Sequence, residues 1–198
     1  MKTLKDIDGN SYKTVKIGEQ IWMAENFKVT HYRNGDPIPN LTDENDWENT
    51  EQGAYCNYDN NEDNVETYGR LYNWYAVDDK RGLAPRGWHI PTDDEIKELE
   101  IYLGLSQSDA DDTDYRGTNE GSKLAGGADL WKSGALVKTP EFGTGEFDFL
   151  PSGYRYHNNG NFGSMGLSGY FWSSTEDGSY NAWYRILNSY YSEIFRLV

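Results

Sequence analysis

The chain carries one cysteine, Cys56, and three histidines, His31, His89 and His157. A lone thiol makes no internal disulfide and no multi-cysteine zinc or iron site. No two histidines stand four residues apart, the spacing that would put two imidazoles on one helical face around a metal. His89 sits in Gly87-Trp88-His89-Ile90-Pro91. It has no cysteine near it in sequence, and no serine occupies a strand-to-helix elbow, so it reads as a structural histidine leading into a helix. Asp59, Asn61 and Asp63 alternate like the first three ligands of a calcium loop. Such a loop needs a glycine where Asn64 stands and a bidentate Glu where Arg70 stands, which excludes the helix-loop-helix site. Two readings stay open, a solvated acidic loop or a calcium site of another design, and Asp109, Asp111, Asp112 and Asp114 divide the same way. Carboxylate pairs for glycoside hydrolysis are decided by separation in space, not by sequence. The expectation is a non-enzymatic protein without a cofactor, calcium at Asp59, Asn61 and Asp63 being the one candidate metal.

Composition narrows the partners. Lys and Arg number 18 against 33 Asp and Glu, a formal charge of -15. Most of the surface would repel a nucleic acid or an anionic membrane. No run of about 18 apolar residues is present, and Lys-Thr-Leu-Lys-Asp after Met1 is not an apolar leader core, so neither a membrane span nor a signal peptide is expected. A length of 198 residues, without repeats or a composition-biased linker, predicts one domain over 1–198 that buries its core without covalent staples. With 21 glycines and 15% aromatic residues, the chain should be loop-rich but folded.

The elements that would position any site follow from patterning. Tyr12 to Ile17 and Gln20 to Met23 read as a half-buried hairpin. Residues 31–66 read as an irregular excursion plugged by Trp47 and Tyr55, and Leu71, Trp74 and Tyr75 as the face of a short helix. Thr92 and Glu95 form a capping box that starts a helix at Asp93, with Ile96, Leu99 and Leu103 as its buried stripe and Gly104 as its stop. That helix should pack on the sheet that also buries Trp22 and Trp172. Residues 106–129 are polar, with one helical turn around Ser122-Lys123-Leu124. Phe147–Leu150, Gly153–Tyr156, Gly169–Ser174 and Ala182–Leu187 read as antiparallel strands. The class is therefore α+β: an N-terminal hairpin, one or two helices and a loop-rich antiparallel C-terminal half.

Asp177 to Phe195 has the composition of a binding loop, with Tyr180, Asn181, Asn188, Ser189, Tyr190, Tyr191 and Ser192 interleaved among Trp183, Leu187 and Ile194. Tyrosine offers contact area with only two torsions to freeze, and Asn and Ser offer adaptable hydrogen bonds. The polar outer face of an ordinary strand would have a similar composition, so composition alone leaves both readings open.

Several blocks in order carry a family resemblance. Asp8-Gly9-Asn10, Thr14 to Gly18 and Trp22 to Asn26 are followed by Tyr68 to Val77, Pro85 to Thr92, Leu150 to Arg155 and Phe171 to Glu176. Together they resemble the Fibrobacter succinogenes major paralogous domain, over nearly the whole chain from Asp8. The resemblance implies the C-type lectin-like fold, in the branch of formylglycine-generating enzymes and of the variable proteins of diversity-generating retroelements, and a place on bacterial surfaces or outside the cell. Those enzymes work through paired cysteines, which a chain with Cys56 alone does not assemble. Ala84 stands where members carry Cys, and with the chain stopping at Leu197-Val198 the family's usual closing strand is expected to be missing, the sheet either closing differently or ending in an incomplete terminal hairpin. In retroelement-diversified relatives the matching segment is randomised. By that resemblance Asn181, Ala182, Trp183, Tyr184, Arg185, Leu187, Ser192, Ile194 and Arg196 form the fixed frame. Ile186, Asn188, Ser189, Tyr190, Tyr191, Glu193 and Phe195 form the displayed set, and Asp177 and Tyr180 join them as candidate ligand-binding residues. Trp183 and Leu187 should point into the core, and Tyr191, Glu193 and Phe195 need a bend after Ser189 to join Asn188 and Tyr190. The expected function is binding of a protein or glycan through this surface; the alternative is a structural or assembly module with the same segment packed in an oligomer interface.

Overall fold

A computed structural model describes residues 3–178 and 181–198. At the N-terminus, β1 (Thr3–Lys5), β2 (Ser11–Ile17) and β3 (Gln20–Met23) form an antiparallel sheet in the order β1-β2-β3. The expected hairpin is β2–β3, turning through Gly18 at φ +60°, and β1 extends it to three strands by pairing Leu4 with Tyr12. The excursion that follows holds α1 (Glu44–Asn49), β4 (Tyr55–Cys56) and α2 (Val65–Tyr68), with Trp47 and Tyr55 buried as its plugs. Next come β5 (Leu71–Tyr72), which pairs with β4, and α3 (Trp74–Val77). The predicted helical face of Leu71, Trp74 and Tyr75 is thus cut. Asn73 accepts the Ala76 N–H as N-cap, so the helix begins at Trp74 and Leu71 stays extended.

The capped helix appears as α4 (Asp93–Tyr102), where Thr92 Oγ1 accepts from Glu95 N at 3.2 Å and Glu95 Oε2 accepts from Thr92 N at 2.8 Å. Beyond it lie α5 (Gln107–Asp111), β6 (Asp114–Arg116), α6 (Glu120–Leu124) and α7 (Ala135–Lys138). Helical segments are therefore more numerous than one or two, each after α4 being too short to show a full apolar stripe in sequence. Phe147–Leu150 forms only a bridge from Phe149 to Ala125, because Asp148 at φ +60° breaks the extended run. The hairpin β7 (Ser152–Arg155) and β8 (Phe162–Met165) leads to β9 (Ser168–Asp177), β10 (Asn181–Asn188) and β11 (Ile194–Leu197).

The main sheet has the order β6-β11-β10-β9 and is antiparallel throughout. The terminal hairpin is not incomplete, since β11 pairs with β10 and sits inside the sheet between β6 and β10. On its inner face Leu187 and Ile194 join Ile96 and Leu99 of α4, Ile17, Trp22 and Phe149 in one buried cluster. Leu103, at the end of α4, packs half-buried against it. Leu99 and Trp22 share this core as expected, but Trp172 does not. It lies opposite Tyr184 on the outer face, 5.6 Å from Trp74, and donates its indole N–H to Tyr72 O at 3.2 Å.

Candidate binding face

The inner face is fixed by charge as well as apolar burial. Asp93 and Glu100 lie two turns apart on α4, so both reach the sheet. Arg185 of β10 donates through Nε to Glu100 Oε1 and through Nη1 to Asp93 Oδ1, both at 2.7 Å. Arg116 of β6 forks onto Glu100 at 2.8 and 3.0 Å, and Arg196 of β11 onto Asp93 at 2.7 and 3.1 Å. All five side chains are buried. Burial by itself would raise the Asp93 carboxyl, but the bond from Arg196 and the charge and bond of Arg185 outweigh it and hold the group down at about 2. Three strands are thereby clamped to one helix.

Alternation then dictates what the opposite face shows, since each clamped arginine is flanked by residues that point outward. Tyr115 stands opposite Phe195, Phe195 opposite Ile186 and Ile186 opposite Tyr170, a row that crosses β6, β11, β10 and β9. The Tyr170 ring lies 4.8 Å from Tyr154 of β7, which lies 4.6 Å from Tyr156. At the other end the Tyr115 ring centroid is 4.2 Å from Tyr191 and 4.8 Å from Phe195. A second row pairs Leu197, Tyr184 and Trp172. The middle of this aromatic strip is half-buried and its ends are open: Tyr115 is 46% exposed, Tyr191 43% and Tyr156 47%. Along its β9 side runs a cleft of about 1020 Å³, lined by Tyr154, Tyr156, Tyr170, Trp172, Tyr184 and Ile186 among others.

The expected displayed residues divide. Tyr190, 58% exposed, and Tyr191 project from the turn between β10 and β11. That turn is the required bend, and it places Phe195 on the same face as Ile186, both half-buried within the strip. Asn188 is half-buried and builds the turn, donating to Ser168 Oγ at 2.9 Å and accepting from Tyr190 N at 2.9 Å. Ser189 is not displayed. It is fully buried, with its backbone oxygen accepting from Leu136 N and its N–H bonded to Leu167 O, because the chain must dive there to reverse. Glu193 is half-buried beside Ser192, whose hydroxyl donates to Thr118 O. Asp177 is exposed at the end of β9, away from these tyrosines in the register, and Tyr180 lies outside the described residues. Of the frame, Ala182, Arg185, Leu187, Ile194 and Arg196 are buried. Trp183 was expected in the core with Leu187. A register shift between Ala182 and Tyr184 leaves it half-buried at the sheet margin, with the Arg196 guanidinium 3.4 Å from its ring centroid.

Sequence reading missed Tyr115, Tyr154, Tyr156 and Tyr170 as parts of the face. Three of them, Tyr154, Tyr156 and Tyr170, lie in recognised strand-like runs, but which side they faced depended on a register that only the pairing supplies. Elsewhere, Asp59 and Asp63 are exposed, and Asn61 accepts from Asp63 N as a helix cap. Among the described residues no group of three His, Cys, Asp or Glu side chains is placed to hold a metal. Asp111 is drawn to Lys97 at 2.9 Å. Burial pushes the Cys56 thiol up to about 11, away from nucleophilic chemistry at neutral pH. His89 Nε2 lies 2.8 Å from Glu95 Oε1, so it braces the capping box.

No curated protein and no solved structure matches the chain. The sequence profile of the Fibrobacter succinogenes major domain does match it, over residues 15–196, a span that takes in β6, β9 and β10 and all of β11 but its last residue. The chain belongs to the Fibrobacter succinogenes major domain family.

Proposed function

We propose that the protein is a non-catalytic ligand-binding module, built on a C-type lectin-like frame, whose recognition surface is the outer face of the β6-β11-β10-β9 sheet. The observation that carries this reading is the aromatic cluster at one end of the strip: the exposed Tyr115 ring in contact with both the exposed Tyr191 and the half-buried Phe195, with the exposed Tyr190 next to Tyr191 in the turn. Large rigid side chains held open on a sheet locked from behind lose little entropy on binding, which is the property of a recognition surface. Diversification by a retroelement fits the same division. The frame residues Arg185, Leu187, Ile194 and Arg196 face inward, while Ile186, Tyr191 and Phe195, which the family resemblance marks as variable, lie on the outer side. A reverse transcriptase gene beside a template repeat of this segment would support it.

The test is binding to arrayed oligosaccharides and arrayed extracellular protein domains by the wild type and by Tyr191→Ala. Signals lost in the variant at unchanged melting temperature support the reading; signals indifferent to Tyr191 overturn it. Sedimentation velocity separates the alternative, in which the same rings pack between copies: a dimer dissociated by Tyr191→Ala would replace ligand display with assembly.

A further inference from the structure

The far end of the strip has a ligand chemistry of its own. We propose that the cleft beside β9 binds a neutral linear oligosaccharide laid across the strands, with pyranose rings against Tyr154, Tyr170 and Tyr184 and the chain leaving past Tyr156; this rests on the outer face being the recognition surface. Ring geometry comes first. Tyr156 and Tyr154 stand at 87° to each other, Tyr154 and Tyr170 at 66°, and Tyr184 and Trp172 at 66°, whereas Tyr170 and Tyr184 are nearly parallel at 28°. Faces and edges alternate, which makes a trough rather than a flat slot. A planar aromatic ligand would need parallel walls, but a pyranose offers an apolar C–H face to one ring and a hydroxylated rim to the next.

Polar groups in the cleft point the same way. Tyr184, Asp148, His157 and Trp88 are among the lining residues, Asp148 and His157 being exposed at it, and none of the four side chains makes a hydrogen bond among the described residues. An aliphatic ligand would desolvate these donors and acceptors without replacing their partners. Sugar hydroxyls, which both donate and accept, would satisfy all four. Charge excludes an acidic ligand. Arg70 is spent on Lys28 O, Asn57 and Glu62, and Arg155 on the carbonyls of Gly160, Leu41, Thr42 and Asp43. Among the described residues no guanidinium of the wall is left to pair a carboxylate or sulfate, and the whole chain carries -15. A polypeptide added as a strand would pair along the edge of β9, the outermost strand of the sheet, and the peptide control tests for that mode. The aromatic row instead runs across the strands, so a chain lying on it meets side chains. About 1020 Å³ is at the upper end of small-ligand pockets, roomy enough for several sugar units.

Calorimetric and tryptophan-fluorescence titrations with cello-, malto- and laminari-oligosaccharides of increasing length test this, with an oligouronate and an extended peptide as controls. In one neutral series Kd should fall as the chain lengthens and then level off, and the oligouronate and the peptide should bind at least about tenfold more weakly. Tyr156→Ala, at the exposed rim, should weaken the best neutral ligand about tenfold, or about 1.4 kcal/mol. Tyr184→Phe, which removes only the free hydroxyl, should weaken it severalfold, both at unchanged melting temperature. Binding in none of the neutral series, preference for the uronate or the peptide, or indifference to both variants would overturn the proposal. Absent saccharide binding alongside array signals that depend on Tyr191 would remove the sugar and leave the recognition face. Array signals indifferent to Tyr191 would remove the face itself.

Discussion

Glu100, fully buried, accepts from two guanidinium groups, those of Arg116 and Arg185. Glu100→Gln keeps the shape and removes the charge, leaving three buried arginines against Asp93 alone. Removing one partner of a buried ion pair costs about 3–5 kcal/mol, so the urea midpoint should fall steeply. A loss below about 1 kcal/mol would mean that apolar packing alone holds α4 to the sheet. The substitution should disturb the outer face as well, because Arg116 and Arg185 fix the strands that present Tyr115 and Ile186. Cys56 gives a second expectation at this scale. Its buried thiol, pushed up to about 11, should resist iodoacetamide in the folded protein at neutral pH and react once urea unfolds it. The clamp had a trace in the sequence, since Asp93 and Glu100 share the helical face of Ile96. Their partners did not, because Arg116, Arg185 and Arg196 come from strands whose inward parity is set by pairing at long range.

Among the elements, α4 was the most legible, because its capping box, stripe and stop are all local. Leu99→Ala should cost about 2–5 kcal/mol, since the side chain is fully buried among Ile96, Trp22 and Leu187. Thr92→Ala should cost about 1 kcal/mol by removing the cap on Glu95 N, and thermal melts would rank the two. The reverse ranking would show that α4 is held by its end rather than by its face. Strand β6 was illegible for the opposite reason. Asp114-Tyr115-Arg116 is short and polar, Asp114 sits at φ +64°, and only pairing with β11 makes it a strand. That is why Tyr115 escaped the sequence reading while Tyr191, whose ring it touches, did not. The turn at 189–193 was anticipated as a bend but not as the link that makes β10 and β11 a hairpin, so Phe195 opposite Ile186 emerged only from the register.

For the whole molecule the opposing terms are the charge of -15 and the carboxylates held by their partners. Asp8, Glu62, Asp79, Glu95 and Asp111 all lie below their ordinary values, with bonds from Thr30 and His31, Arg70, Arg81, Thr92 and His89, and Gln107 and Lys97 respectively, and Asp93 lies at about 2. A carboxylate depressed in the folded state contributes its full stability above its unfolded value and loses it as pH falls through the folded one. For Asp93 that window runs from about 4 down to about 2, and the contribution lost is about 2 kcal/mol. Self-repulsion acts in the other direction, because mild acidification reduces the negative charge of the compact state. From about pH 7 to about pH 5 the urea midpoint should therefore change little or rise, the rise shrinking as added salt screens the surface, and below about pH 4 it should drop. Asp93→Asn separates the two terms. It should start less stable at neutral pH, having freed Arg196 and Arg185, and then lose less than the wild type between about pH 4 and about pH 2. Parallel acid limbs in the two proteins would show that Asp93 does not govern the transition and that the exposed carboxylates do, which would leave the inner clamp, and the rigidity of the face it backs, resting on apolar packing alone.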